Sequence, residues 1–311
     1  MIGGGGAMRR LLPLVVAMAT AFLVGGCTTG DGGEKFTTAN TSTSAAAASP
    51  TSSGAAPPSA RYVNLGDSYA AGTGVTPLVE GSNPFCQRSS RNYAQLLAER
   101  LQTPLTDVAC AGARTADLTT DQYFGVAPQL DALGPDTELV TLMLGGNDED
   151  TFGGAIRVCG AAAPTDPTGS PCRDQHGDEL SAPIAETIEP DLEQGLREIR
   201  SAAPHARVVI IGYPWIVPAT QGCYPTVRIA TGDVPYVRAL QADLNAAVRR
   251  AAEATGADFV DMSTVSDGHD ACAGDDRWVE PQQGSTARIT LHPNARGQQA
   301  IADQVERTLG R

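Results

Sequence analysis

Ser68 lies in Gly66-Asp67-Ser68-Tyr69, at the end of a run (residues 61–65) in which Tyr62, Val63 and Leu65 have the character of a buried strand. The preceding glycine relieves backbone crowding at a tight strand-to-helix turn, and small residues follow at 70–74. A serine hydroxyl there becomes a nucleophile only when a base takes its proton, which requires a neutral imidazole within hydrogen-bond reach. The chain has four histidines. His176 and His269 fall in long loops, and His205 precedes a strand at the far edge of the expected sheet. His292, in Leu291-His292-Pro293-Asn294, can return to the strand ends and be fixed by the helix after it. Attack on an acyl carbon also creates an oxyanion, which needs donors placed before the charge develops. Asn147, in Gly145-Gly146-Asn147-Asp148, has amide hydrogens to donate where an aspartate would have none. Gly112, in Cys110-Ala111-Gly112-Ala113, would let backbone approach a substrate. Asp67 and Asp148 are expected to brace these loops.

The elements that must position these residues alternate regularly. Strands are expected at residues 61–65, 105–109, 138–144, 207–212 and 257–261. The third is apolar on both faces, the pattern of a strand buried between two layers. Helices are expected at 90–101, 184–203, 234–255 and 293–309, from apolar residues at helical spacing such as Val237, Leu240, Leu244 and Val248. Strand–helix alternation predicts an α/β fold, a flavodoxin-like three-layer sandwich with a five-stranded parallel sheet. Ser68, Gly112 and Asn147 then fall at strand ends on one edge, where open sheets of this kind place their ligands. Residues 153–182 and 260–289 read as loops.

The remaining sequence bounds the setting. Arg9-Arg10, the apolar run 11–24 and Gly25-Gly26-Cys27 read as an export signal, too short for the roughly 20 residues of a spanning helix. Residues 24–27 resemble a bacterial lipobox, which implies that residues 1–27 are a lipoprotein signal and that Cys27 carries the lipid. Residues 28–60 are mostly Ser, Thr, Ala, Gly and Pro, with Phe36 the only large apolar residue, so a disordered tether is expected there. The catalytic domain would span residues 61–311. Six further cysteines in an exported chain suggest disulfides. Sequential pairing, Cys86 with Cys110, Cys159 with Cys172 and Cys223 with Cys272, closes the most local loops. No Cys-x-x-Cys pair argues for a metal cluster. A net charge of −13 with Lys35 as the single lysine argues against nucleic acid as a partner.

Four blocks in this order, with serine, glycine, asparagine and histidine, resemble the SGNH (GDSL-type) hydrolase family, from about residue 61 to 309. Tyr69 stands where the family usually has leucine. The three cysteine pairs, with the stretches 268–272 and 277–281, look most like its secreted lipase/esterase branch. The resemblance implies an SGNH-type fold and hydrolysis of carboxylic esters through an acyl-serine, with no metal or organic cofactor. Its oxyanion hole would be the backbone N–H groups of Ser68 and Gly112 with the Asn147 side chain. It further implies an extracytoplasmic ester hydrolase, lipid-anchored or secreted, taken here as a monomer. A cell-envelope polysaccharide O-deacetylase and a catalytically silent binding domain are the alternatives. Many members carry an aspartate three residues before the histidine, but that position is Ile289 here. A backbone carbonyl of Ile289 or Thr290 would then orient His292 in a Ser–His dyad, with Asp267 or Asp270 as the rival acids.

Overall fold

The computed structural model describes residues 61–311; the export signal, lipidated Cys27 and tether expected from the sequence lie outside the described residues. Strand β1 (Tyr62–Gly66) is fully buried and runs directly into a single-turn helix, α1 (Ser68–Ala71). Asp67 caps that turn, its carboxylate accepting the Tyr69 N–H at 2.8 Å. At Gly66 the backbone takes φ +117°, and a Cβ there would lie 2.2 Å from the Met143 carbonyl, so only glycine fits the turn. Helix α2 (Tyr93–Leu101) starts three residues later than its apolar spacing suggests, because the Asn92 side chain caps it through Gln95 N–H.

Strand β2 (Leu105–Asp107) pairs with one side of β1, and β3 (Leu139–Met143) with the other. Strands β4 (Arg207–Ile211) and β5 (Asp258–Val260) extend the sheet, all parallel, in the order β2-β1-β3-β4-β5. This is the expected five-stranded, flavodoxin-like α/β sheet. Right-handed crossovers put α2 on one face, where it packs with the last helix, α7 (Ala295–Thr308). The opposite face is covered by α5 (Glu189–Ala202) and α6 (Val234–Thr255), packed on each other. Leu192, Leu196 and Ile199 of α5 and Leu240, Leu244 and Val248 of α6 are buried there.

Residues 153–182 depart from the loop expected of them. They contribute most of α3 (Thr151–Ala162) and all of α4 (Pro171–His176), joined by the Cys159–Cys172 disulfide. Gly153, Gly154 and Gly160 lower helix propensity, but Ala155, Ile156, Cys159 and Ala162 form a buried stripe that overrides it. The helix expected from residue 184 opens with a π-turn, Ile184–Ile188, and becomes regular only from Glu189. Pro190 lacks the N–H that would continue an α ladder through that point.

A polar network is buried under the serine turn. The Tyr93 hydroxyl donates to Asn64 Oδ1 at 2.6 Å, and Asn64 and Asn92 donate to the two oxygens of Asp107 at 2.9 and 2.7 Å. Gln298 of α7 accepts the Tyr93 N–H and donates to the Tyr69 carbonyl, so the last helix supports the first turn. Cys86–Cys110 joins the loops that follow β1 and β2, and Cys223–Cys272 joins those that follow β4 and β5. Such bridges restrict the unfolded chain by roughly 3–4 kcal/mol each in the loop-entropy account. Within the described residues, sheet, both helical layers and the disulfides all belong to one compact unit.

Candidate active site

Ser68 is the first residue of α1, where a tight turn lifts it off the end of β1. Its hydroxyl lies 2.8 Å from His292 Nε2, although 224 residues separate the two. The other ring nitrogen, Nδ1, faces the Thr290 carbonyl at 2.9 Å. With Nδ1–H donating to that carbonyl, Nε2 is left as the acceptor for the serine proton.

The carbonyl reaches its position through the backbone of Leu291, which takes φ +58°, a left-handed conformation unusual for leucine. Three bonds hold it. The Tyr69 hydroxyl donates to the Leu291 carbonyl at 2.6 Å, Leu291 N–H donates to the Glu280 carbonyl, and Glu280 N–H donates to the His292 carbonyl. Tyrosine at position 69 therefore braces the histidine loop, and its ring lies 5.0 Å from the imidazole. Glu280 is buried and collects Ser285, Thr286 and Asn294, fastening the same loop to the start of α7. Ile289, the other carbonyl considered for the orienting role, packs instead against Gly74.

Neither aspartate of the long loop meets the imidazole. Asp267 pairs with Arg238 at 2.8 Å, and that guanidinium lies over the Trp215 ring. Asp270 accepts the Cys272 N–H at 2.8 Å. Asp267→Asn and Asp270→Asn should each retain kcat within about threefold of wild type, since exposed or loop-capping carboxylates contribute little beyond local order. A loss of several hundredfold in steady-state turnover by either variant would assign the histidine an acid instead.

Burial lowers the His292 pKa from its ordinary 6.5, with the Thr290 carbonyl opposing. A base works unprotonated, so a lowered pKa keeps it competent to lower pH. The acid limb of kcat/KM should accordingly have its midpoint below pH 6.5. A midpoint above that value would contradict the environment described here.

The donors expected for an oxyanion come from three loops. The N–H groups of Ser68 and Gly112 have no acceptor among the described residues. Asn147 gives one amide hydrogen to the Ala113 carbonyl at 3.0 Å and keeps the second. Gly112 has φ +80°, and it lies on the adjoining loop while Ser68, Asn147 and His292 line the cleft itself. Asp148 fastens the same loop by accepting the Thr115 N–H and hydroxyl. Asp67 accepts the Tyr213 hydroxyl at 2.6 Å, and that hydroxyl accepts the Gly146 N–H, so the loops after β1, β3 and β4 are tied together. Burial pushes the Asp67 carboxyl up to about 7, against the donors that favour its ionised form.

Beside the Ser68–His292 pair is a cleft of about 190 Å³ walled by Phe152, Ile156, Tyr213, Ile216, Leu244 and Leu291. Sequence reasoning missed Phe152 and Ile156 because the helix that carries them falls mostly within residues 153–182, which read as loop. Trp215 and Trp278 do not line it. The Trp215 indole donates to the Ser263 carbonyl, and Trp278 stacks on His269. Among the described residues no group of three His, Cys, Asp or Glu side chains converges as a metal site would.

The profile of the GDSL-like lipase/acylhydrolase family matches residues 65–300. "Lipase 2" of Streptomyces coelicolor is 51% identical over 257 residues, covering 81% of this chain and 87% of that protein. A lipase of Streptomyces rimosus is 31% identical over 242 residues, covering 76% and 82%. Among solved structures, phospholipase A1 from Streptomyces albidoflavus superposes with a TM-score of 0.69 at 26% identity, covering 80% of this chain and 99% of that one.

Proposed function

The chain belongs to the GDSL-like lipase/acylhydrolase family and is a carboxylic ester hydrolase, and from that premise we propose that it works through a Ser68–His292 dyad and an acyl-serine intermediate. The observation that carries this reading is the 2.8 Å contact between the Ser68 hydroxyl and His292 Nε2 at the floor of an apolar cleft. His292 takes the serine proton as Oγ attacks the ester carbonyl. The developing oxyanion is held by the N–H groups of Ser68 and Gly112 and by the free Asn147 amide hydrogen. His292 then gives the proton to the departing alcohol, which leaves the acyl group on Ser68. A water molecule, deprotonated by the same imidazole, releases the carboxylic acid and restores the serine. The Thr290 carbonyl fixes the tautomer but adds no negative charge beside the imidazolium.

The cleft favours lipid-type acyl groups over acetyl. Its volume is about 190 Å³ and its walls are apolar, so it suits a chain of several carbons. Export is supported by the three disulfides and by the structural similarity to an extracellular lipase of Streptomyces rimosus. In this reading residues 1–27 are a lipoprotein signal, Cys27 is the lipidated residue, residues 28–60 are the tether, and residues 61–311 form a monomeric catalytic domain outside the cytoplasm. The test is turnover of p-nitrophenyl esters from acetyl to palmitoyl by residues 61–311, with and without Ser68→Ala. Serine-dependent turnover rising beyond acetyl is expected. Turnover confined to acetyl would favour a deacetylase, and none on any ester would sink the proposed chemistry.

A further inference from the structure

Among the described residues, the large hydrophobic side chains left exposed are Leu78, Phe85, Tyr123, Phe124 and Ile289. Their placement is uneven. Leu78 and Phe85 belong to the loop between α1 and α2, Tyr123 and Phe124 follow Gly112, and Ile289 stands three residues before His292. All are on loops attached to the edge of the sheet that carries the site. Three of them form one tip. Phe85 and Tyr123 pack with ring centroids 5.8 Å apart, Phe85 is 69% exposed, and Phe124 is exposed in full.

The tip is joined to the candidate oxyanion loop. The Tyr123 hydroxyl and the Gln122 amide both donate to the Ala111 carbonyl, next to Gly112. Below it, Cys86–Cys110 and Val126 make a small buried cluster of their own that fixes the tip to the body. Exposed aromatics at a prebuilt position lose little conformational entropy on binding, and aromatic rings favour the boundary between lipid and water.

We propose that Phe85, Tyr123 and Phe124 form a docking tip that enters a neutral or zwitterionic lipid surface and brings the Ser68 cleft to aggregated ester substrate. The proposal rests on the ester-hydrolase reading above and adds the physical state of the substrate. Charge selects the kind of surface. The chain is strongly acidic, Glu80 and Asp121 are exposed near the tip in sequence, and the Arg88 guanidinium is turned inward to the Ala109 carbonyl; among the described residues of these loops the exposed arginines are Arg91 and Arg114, too few for a cationic collar that would hold anionic lipid. Area argues against a second copy as the occupant. The three rings expose roughly 400 Å² from side chains of about 200 Å² each, against the ~800 Å² per partner of a stable dimer.

The test uses residues 61–311 carrying Phe85→Ser and Phe124→Ser; Tyr123 is kept because its hydroxyl supports the Ala111 carbonyl. In a Ser68→Ala background, binding to phosphatidylcholine vesicles should fall about tenfold or more. With Ser68 intact, turnover of emulsified tributyrin should fall by a similar factor, while turnover of dissolved p-nitrophenyl butyrate stays within about twofold. Unchanged vesicle binding, or an equal loss on dissolved and emulsified esters, would overturn the proposal. So would a concentration-dependent dimer that the substitutions abolish, which would assign the tip to a second copy. Vesicle binding that depends on the two phenylalanines in a chain that hydrolyses no ester would keep the tip and remove the catalytic reading instead.

Discussion

Ser68→Ala, and separately His292→Ala, should each lower kcat on p-nitrophenyl butyrate by ~10⁴–10⁶-fold, with the double variant no worse than the poorer single one. The serine hydroxyl has no other base within reach, because the imidazole at 2.8 Å is the one hydrogen-bond partner of Oγ among the described residues. The imidazole has no other proton to take, because its second nitrogen is committed to the Thr290 carbonyl. Each residue is inert without the other, so their losses cannot add. KM should stay within about threefold, since the cleft walls that hold the acyl group are untouched. Steady-state kinetics on the three variants decide the matter. Losses that multiply in the double variant would mean the two residues act independently, and the dyad would be wrong.

Asn147→Ala should lower kcat by ~10²–10³-fold with KM nearly unchanged, the signature of a donor used only when the oxyanion forms. Asn147 also donates to the Ala113 carbonyl, so the substitution removes a loop contact as well. That contact is not the loop's sole restraint, because Thr115 remains bonded to the Asp148 carboxylate through both its N–H and its hydroxyl. The stability cost should therefore be about 1 kcal/mol, as for one ordinary hydrogen bond. Asn147→Asp keeps the shape but reverses the electrostatics, replacing two donors with a negative charge beside the developing oxyanion. It should be at least as damaging as alanine. Kinetics with thermal unfolding separate the two effects: a loss of kcat that tracked loss of stability would make Asn147 a loop brace only.

Much of the fold was legible because its signals are local. Val237, Leu240, Leu244 and Val248 share one helix face, and the helix found there runs over the residues that pattern implies. The run at 138–144 is apolar on both faces, and β3 is the central strand of the sheet. What local pattern could not supply depends on contacts from elsewhere. Helix α3 holds despite its glycines because a disulfide and a buried stripe hold it, and neither is a property of its own segment. The caps at Asn92 and Asn294 move two helix starts by two or three residues, a shift within the reach of any single capping side chain.

At the site the residue types were readable and the geometry only partly so. Ser68 and His292 stand in short blocks whose spacing can be read along the chain. The orienting carbonyl could not be chosen between Ile289 and Thr290, because the choice turns on the left-handed backbone of Leu291. Nothing in the sequence around a leucine announces that conformation. It is imposed by Tyr69 and Glu280, which reach it across the fold. The substitution of tyrosine for the family's usual leucine was visible, but its hydroxyl's partner lies 222 residues away.

That long reach has a consequence for the life of the polypeptide. The serine turn lies near the start of the domain and emerges early in synthesis, whereas the imidazole is supplied by the loop leading into α7, the final helix. Gln298 seats that helix against Tyr69 and Tyr93, beside the histidine loop. Bringing together segments so far apart in sequence is a late and slow event in folding. A chain that ends before residue 292 therefore holds Ser68 without the imidazole that meets it. Completion of the chain is thus what brings an imidazole to the serine.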